Sequence, residues 1–235
     1  MAEQKEGKPY SMGYRMAELW LSQILCAFGI YLTVQANVGL APWDAFSMGL
    51  SYVMDLRFGT VGAIVGAAVV GIDLLMREPL GLGTLVNTFV AAMILNVFDM
   101  MELIPLQQSA WTGIPMLLVG MELNCISTYY YIHAGMGCGP RDGLMVALGQ
   151  KLRKVPIGLV RFAIEMTVLA IGWALGAKVG IGTVLGAFGM GFCLEQTFRF
   201  FHFDVRSIHQ ENLLETWQKI RPRLPEQEKE QQQNR

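Results

Sequence analysis

The residues best placed to do chemistry lie in one short stretch that occurs twice. Gly39-Leu-Ala-Pro42-Trp43-Asp44 returns 98 residues later as Gly137-Cys-Gly-Pro140-Arg141-Asp142. The glycine permits a tight, unusual backbone. Proline suits the first helical position, where its missing N–H would be unbonded anyway. The aspartate then falls at the third position. There a carboxylate can reach back to the cap amide and also meets the positive helix end. Each copy therefore predicts an irregular turn followed at once by a helix. Asp44 and Asp142 read first as locks on that helix start, and as ligand or coupling groups second.

The copies differ where a solute would be held. Arg141 stands where the first copy has Trp43, and Asn87 and Asp73 stand where the second half has Gly186 and Gly172. Glu122 and Glu165 sit deep inside long apolar runs. A charge at such depth costs at least ~2.5 kcal/mol on insertion scales, so it should face the protein interior and have a partner. Glu165 can pair with Arg161, four residues earlier on one helix face. Glu122 is the first choice for a proton- or ion-coupling carboxylate. Trp43 and Asn87 complete the set of ligand candidates. Tyr129-Tyr130-Tyr131 with His133 reads as an interfacial aromatic belt, with a pocket wall as the lesser alternative.

Other chemistries are missing from the pattern. Cys26, Cys125, Cys138 and Cys193 form no CxxC, and His133, His202 and His209 are scattered, so no metal site is expected. The cysteines read as small buried apolar residues. No phosphate loop, Ser-His-Asp order or haem pair occurs. No cofactor, enzymatic activity or nucleic-acid partner is expected.

The elements that must position these residues are apolar. The chain of 235 residues is 53% hydrophobic and 16% charged, whereas soluble domains run nearer a quarter charged. The charges gather in residues 1–18 and 199–235. The apolar run Leu19–Val38 can cross a bilayer as a helix. It follows a polar stretch and lacks a small-residue cleavage site, so it is expected to stay in the mature protein. Further spans are predicted at Gly59–Met76, Thr84–Met101, Gly113–Ala134, Ile157–Gly176 and Thr183–Phe201. The helices predicted at Pro42–Met54 and Pro140–Leu152 are different. At 1.5 Å per residue the first covers roughly 20 Å, short of the ~30 Å hydrocarbon core. Both read as re-entrant or half helices.

The repeat extends beyond the motif. Gly81-Leu-Gly83-Thr84 returns as Gly180-Ile-Gly182-Thr183, with the threonines expected to act as helix caps. The shared residues are mostly Gly, Pro, Asp and Thr, which set backbone geometry. Three spans per repeat would make the repeats face opposite ways. With Lys5, Lys8 and Arg15 in the cytoplasm, Arg77, Arg141, Lys151, Arg153, Lys154, Arg161, Arg199 and Arg206 fall there too. Arg57 and Lys178 fall outside, which fits the positive-inside bias. The expected fold is thus an all-α membrane protein of about six transmembrane helices in two inverted three-span repeats. Eight spans, with the short helices crossing, fit the charges only slightly less well. Residues 1–15 form a polar N-terminal segment, 16–112 repeat 1, 113–203 repeat 2, 204–224 an amphipathic surface helix and 225–235 a disordered tail. The surface helix lies either on the membrane or docked on the protein.

G-x-x-P-x-D opening a short helix, then G-x-G-T opening a span, both duplicated, resembles the bacterial YczE/YyaS/YitT family. The resemblance covers about residues 15–209. It implies an integral protein of the bacterial inner membrane, and it transfers no catalytic residues. The function expected from the residues is a small transporter or channel. A polar or anionic solute would sit between the two short-helix starts, with Arg141 supplying charge and Glu122 or an aspartate coupling. The alternative is a non-transporting membrane partner, such as a substrate-binding subunit of a larger complex. The lipid bilayer is the expected surrounding, with a protein partner or a second copy as further company.

Overall fold

The computed structural model describes residues 11–76, 80–137, 139–151, 157–203, 211–213 and 215–216. Among them all regular structure is helical. Helix α1 (Met12–Gln35) begins at Ser11, whose hydroxyl accepts the Tyr14 amide. Helix α2 is Pro42–Met54 and α3 is Phe58–Leu75. Helix α4 (Leu82–Met101) is one rod with a π-turn at Asn87–Ala91. The order then recurs. Helix α5 is Ala110–His133, α6 is Pro140–Lys151 and α7 is Ile157–Ala174. Helix α8 runs through Ile181–Val184, a π-turn at Leu185–Gly189, and Met190–Phe200. Helix borders fall within a few residues of those predicted, except that α1 starts seven residues before its apolar run. Polar Glu18 and Arg15 belong to the helix because its first turns meet protein rather than lipid.

Helices α1 and α5 form an antiparallel central pair. His133 meets Glu18 at 2.8 Å at the near end, where α1 begins, and Gly113 lies against the Ala36 carbonyl at the far end. Between them Gly29 meets Gly120, and a Cβ on either would stand 2.8 Å from the other's carbonyl oxygen. Small residues at this crossing let the backbones approach closely. Helix α2 packs on α7, where Gly49 and Gly172 serve the same end, and α3 packs on α6.

The distribution of polarity is that of a protein in lipid. Trp111 and Leu75 are 90% and 86% exposed, while Ser22, Gln23, Ser47 and Asp73 are buried. In water such a surface would be a large uncompensated apolar patch. Helices α1, α3 and α4 are, among the described residues, the three long and apolar enough to cross a membrane.

The expected N-terminal segment lies mostly outside the described residues, as do the tail and most of the surface helix. The described part of that helix touches protein. Glu211 donates its amide to the Gly135 carbonyl, Leu213 donates to Leu80, and Arg15 pairs with Glu211 at 2.6 Å.

Candidate functional site

Two loops carry the site. In the first, Gly39 has φ +118°, and in the second Gly137 has φ +117°. This is backbone that side chains rarely adopt. Space is also missing: a Cβ on Gly39 would lie 2.6 Å from the Gly180 nitrogen. Each loop rests on the opposite half of the chain. Gly182 donates its amide to the Val38 carbonyl at 2.8 Å, and Gly83 donates to the Met136 carbonyl at 2.8 Å. The threonines hold the receiving turns. Thr84 accepts the Gly81 amide at 3.3 Å and Thr183 accepts the Gly180 amide at 3.2 Å. They act from the third helical position and not as the cap residue itself. The cap is glycine, which has no side chain, so only the returning half of a capping box forms.

The loops then lead into α2 and α6 inside the bundle. Helix α2 runs towards the far end, with Ala45 against Gly172 and Tyr52 against Gly176. The first turns of the two short helices meet. Arg141 Nη2 stands 3.7 Å from Asp44 Oδ1, and its guanidinium lies 5.2 Å from the Trp43 ring centroid. At 3.7 Å this is an ion pair without a good hydrogen bond, so the carboxylate keeps capacity for another donor. Cys26, near the middle of α1, lies in the field of both charges and beside the Ser127 hydroxyl. Ser127 donates to the Ser22 carbonyl at 2.8 Å, and Gln23 donates to Ser22 Oγ at 2.9 Å. Gln23 Oε1 and Ser47 Oγ are buried without a hydrogen-bond partner. An ion pair is thus set among side-chain polar groups midway along the bundle.

Several expectations change. Pro42 does open α2, but Asp44 makes no cap hydrogen bond. Its carboxylate turns to Arg141 instead, because a full charge on the facing helix attracts it more strongly than a neutral amide. Glu122 does not face the interior. It is exposed on α5 and accepts one hydrogen bond, 2.8 Å, from Thr197 on α8. Apolar runs fix depth, whereas the direction a side chain faces depends on which side the neighbours occupy. Glu165 pairs with Arg161 at 2.9 Å, as the spacing predicted.

Trp43, Asp44 and Arg141 are brought together. Glu122 and Glu165 bond to none of them. Asn87 is half-buried in the π-turn of α4 and makes no side-chain hydrogen bond among the described residues. Pro140 opens α6 and is buried. The side chain of Asp142 lies outside the description. Tyr129 stacks on Phe201 at 4.2 Å between centroids and Tyr131 is buried, so these rings pack within the protein's near end.

Sequence reasoning misses Ser22, Gln23, Ser47 and Ser127, and it reads Cys26 as apolar filling. The Ser22-Gln23 pair inside an otherwise apolar run is the available signal. The π-turns, which often mark functional sites, leave no trace in hydrophobic periodicity.

Residues 13–199 match the model of a family described as a family of unknown function (DUF6198). Among curated proteins the chain is 31% identical over 188 residues to the uncharacterized membrane protein YczE of Bacillus subtilis. That match covers 77% of this chain and 86% of the relative. It is 31% identical over 167 residues to an uncharacterized protein of Haemophilus influenzae, covering 71% and 75%. It is 24% identical over 166 residues to the uncharacterized protein YyaS of Bacillus subtilis, covering 69% and 81%. No solved structure matches the chain significantly.

Proposed function

The chain belongs to the DUF6198 family, with YczE and YyaS among its relatives, and from that premise we propose that it is a small-solute transporter of the bacterial inner membrane. Its two halves are three-span repeats of opposite orientation, with both termini in the cytoplasm. The observation that carries this reading is the meeting of the two short-helix starts at Asp44 and Arg141, beside the middle of α1. Irregular backbone at membrane depth survives only against protein or a wet cavity. Inverted repeats with broken helices place substrate where the half-helix ends converge.

In this reading the ion pair is the barrier. A polar solute entering between α2 and α6 takes the free capacity of Asp44 and loosens its hold on Arg141. Trp43 keeps the guanidinium in place from the other side. The short helices, α2 packed on α7 through Gly49 and Gly172 and α6 packed on α3, then shift to open one face or the other.

A thermal-shift screen of the purified protein against small metabolites identifies the solute, and uptake into proteoliposomes measures its movement. Asp44→Asn and Arg141→Gln should each lower uptake about tenfold or more, the rate equivalent of about 1.4 kcal/mol, while elution as a single folded species is kept. Wild-type uptake by folded Asp44→Asn protein would remove Asp44 from the mechanism.

One observation favours the non-transporting alternative. Glu122 is exposed in a surface depression shared with Gln196, Thr197, Arg199 and Phe200, where a covering partner would relieve its cost. Stoichiometric co-purification of a second protein that is lost on Glu122→Leu would support that reading.

A further inference from the structure

From the level of the Asp44–Arg141 pair, helices α1 and α2 both run towards the far end, where space opens between them. At that end a cavity of about 390 Å³ is lined by Tyr31 and Val34 of α1, by Ser51, Tyr52 and Asp55 of α2, and by Asp99 of α4. Deeper in the bundle, Cys26 near the middle of α1 lies in the field of Asp44 at the start of α2. Helical spacing connects the ends. On α2, Asp44, Ser47, Ser51 and Asp55 recur every three to four residues and form one polar face. On α1, Cys26 lies by the pair, and Tyr31 and Val34, about one to two turns further on, reach the cavity.

The groups along this groove are mostly acceptors. Ser47 Oγ is 1% exposed as a residue and unpartnered, and so is Gln23 Oε1 at 0%. Ser51 gives its proton to the Met48 carbonyl at 2.7 Å, which leaves its lone pairs free. At the mouth two carboxylates face one cation. Arg57 pairs with Asp99 at 3.5 Å, and Asp55 has no ion-pair partner among the described residues. Arg141 at the base is already neutralised by Asp44. An anion would therefore meet carboxylates at the mouth and the open lone pairs of Ser51 and Gln23 further in, with the Ser47 hydroxyl as a donor. A group that donates hydrogen bonds and carries positive charge would satisfy them, with the exposed Tyr52 ring at the mouth as a further contact.

We propose that the groove between α1 and α2 is the access path to the Asp44–Arg141 site, and that it admits small amine or guanidinium cations and rejects anions. This rests on the transporter reading above and narrows its polar solute to a cationic one.

Cysteine accessibility tests it. In full-length protein with the four native cysteines replaced, Ser47→Cys and Ser51→Cys are exposed to methanethiosulfonates bearing either a trimethylammonium or a sulfonate group. Rates are normalised to those with a free thiol. The cationic reagent should win by about tenfold or more at both positions, the lower range of electrostatic focusing in a cleft. Adding Asp55→Asn should reduce that ratio, and ethylammonium should slow labelling at Ser47→Cys. Equal rates, faster labelling by the sulfonate, or no labelling at Ser47→Cys would overturn the path.

A second measurement keeps the native cysteines. Ethylammonium should raise the melting temperature of the wild-type protein, and acetate should not. Surface Asp55→Asn should weaken the ethylammonium effect, and the reverse preference would refute the selectivity. Uptake separates the two ideas. Cation-selective labelling together with unaltered uptake by Asp44→Asn would leave the groove standing and remove the transport mechanism.

Discussion

In the first half the chain leaves α1 through Gly39 at φ +118° and restarts at Pro42. In the second it leaves α5 through Gly137 at +117° and restarts at Pro140. Each loop accepts one amide from the G-x-G-T turn of the opposite half, at 2.8 Å in both cases. The helices behind them match almost residue for residue, 24 against 24 for α1 and α5 and 18 against 18 for α3 and α7. Side chains on this shared frame are not shared. Trp43 faces Arg141, Asp73 is replaced by Gly172, and the α2 face carries Ser47 and Ser51 where its counterpart positions are Met145 and Gly149. The lesson is a division of labour. Backbone-setting residues are duplicated because both halves need the same broken helix. Chemistry-bearing residues are single, as the proposed site between the halves requires.

The comparison can be broken at its foundation. Cysteines placed at Arg57 and Lys151, both exposed, should label from opposite sides of the membrane. Labelling from one side would end the opposed-repeat arrangement outright.

The next largest effect concerns the frame. Gly39→Val and Gly137→Val should both abolish well-folded protein, seen as loss of a single elution peak. Left-handed backbone with a branched side chain costs on the order of 1–3 kcal/mol before any clash, and the added Cβ would press on backbone of the opposite half. Tolerance at one position only would show that the two loops are not equivalent.

The smallest test is the most discriminating. Thr84→Val and Thr183→Val each remove one acceptor for a glycine amide, and each should destabilise by about 1 kcal/mol. Similar losses of melting temperature are expected in both. A large loss of uptake from only one would assign that turn to the site as well as to the frame.

Much of the scaffold is legible in the order of residues. The 13-residue limit of α2 follows from Pro42 at one end and the polar Asp55-Leu-Arg57 run at the other. The Arg161–Glu165 pair follows from helical spacing. Glu122 shows where that reasoning fails. Depth along the chain is one-dimensional and readable, whereas the face a residue presents depends on which neighbour stands beside the helix. Asp44 fails for a related reason. Its local option, the cap amide, is visible in the sequence, and its non-local option, Arg141, is 97 residues away.

By itself, the sequence determined that the chain is helical and apolar, where its helices break, and that it breaks them in the same way twice. These are local properties, set by side-chain polarity, by the missing proline N–H and by glycine's freedom at positive φ. The tertiary structure alone decided that each broken helix rests on the opposite half's G-x-G-T turn. It also decided that Asp44 meets Arg141 beside Cys26, and that Glu122 faces away from them. Those outcomes depend on close approach between segments far apart in sequence, where packing geometry and charge attraction override local preference.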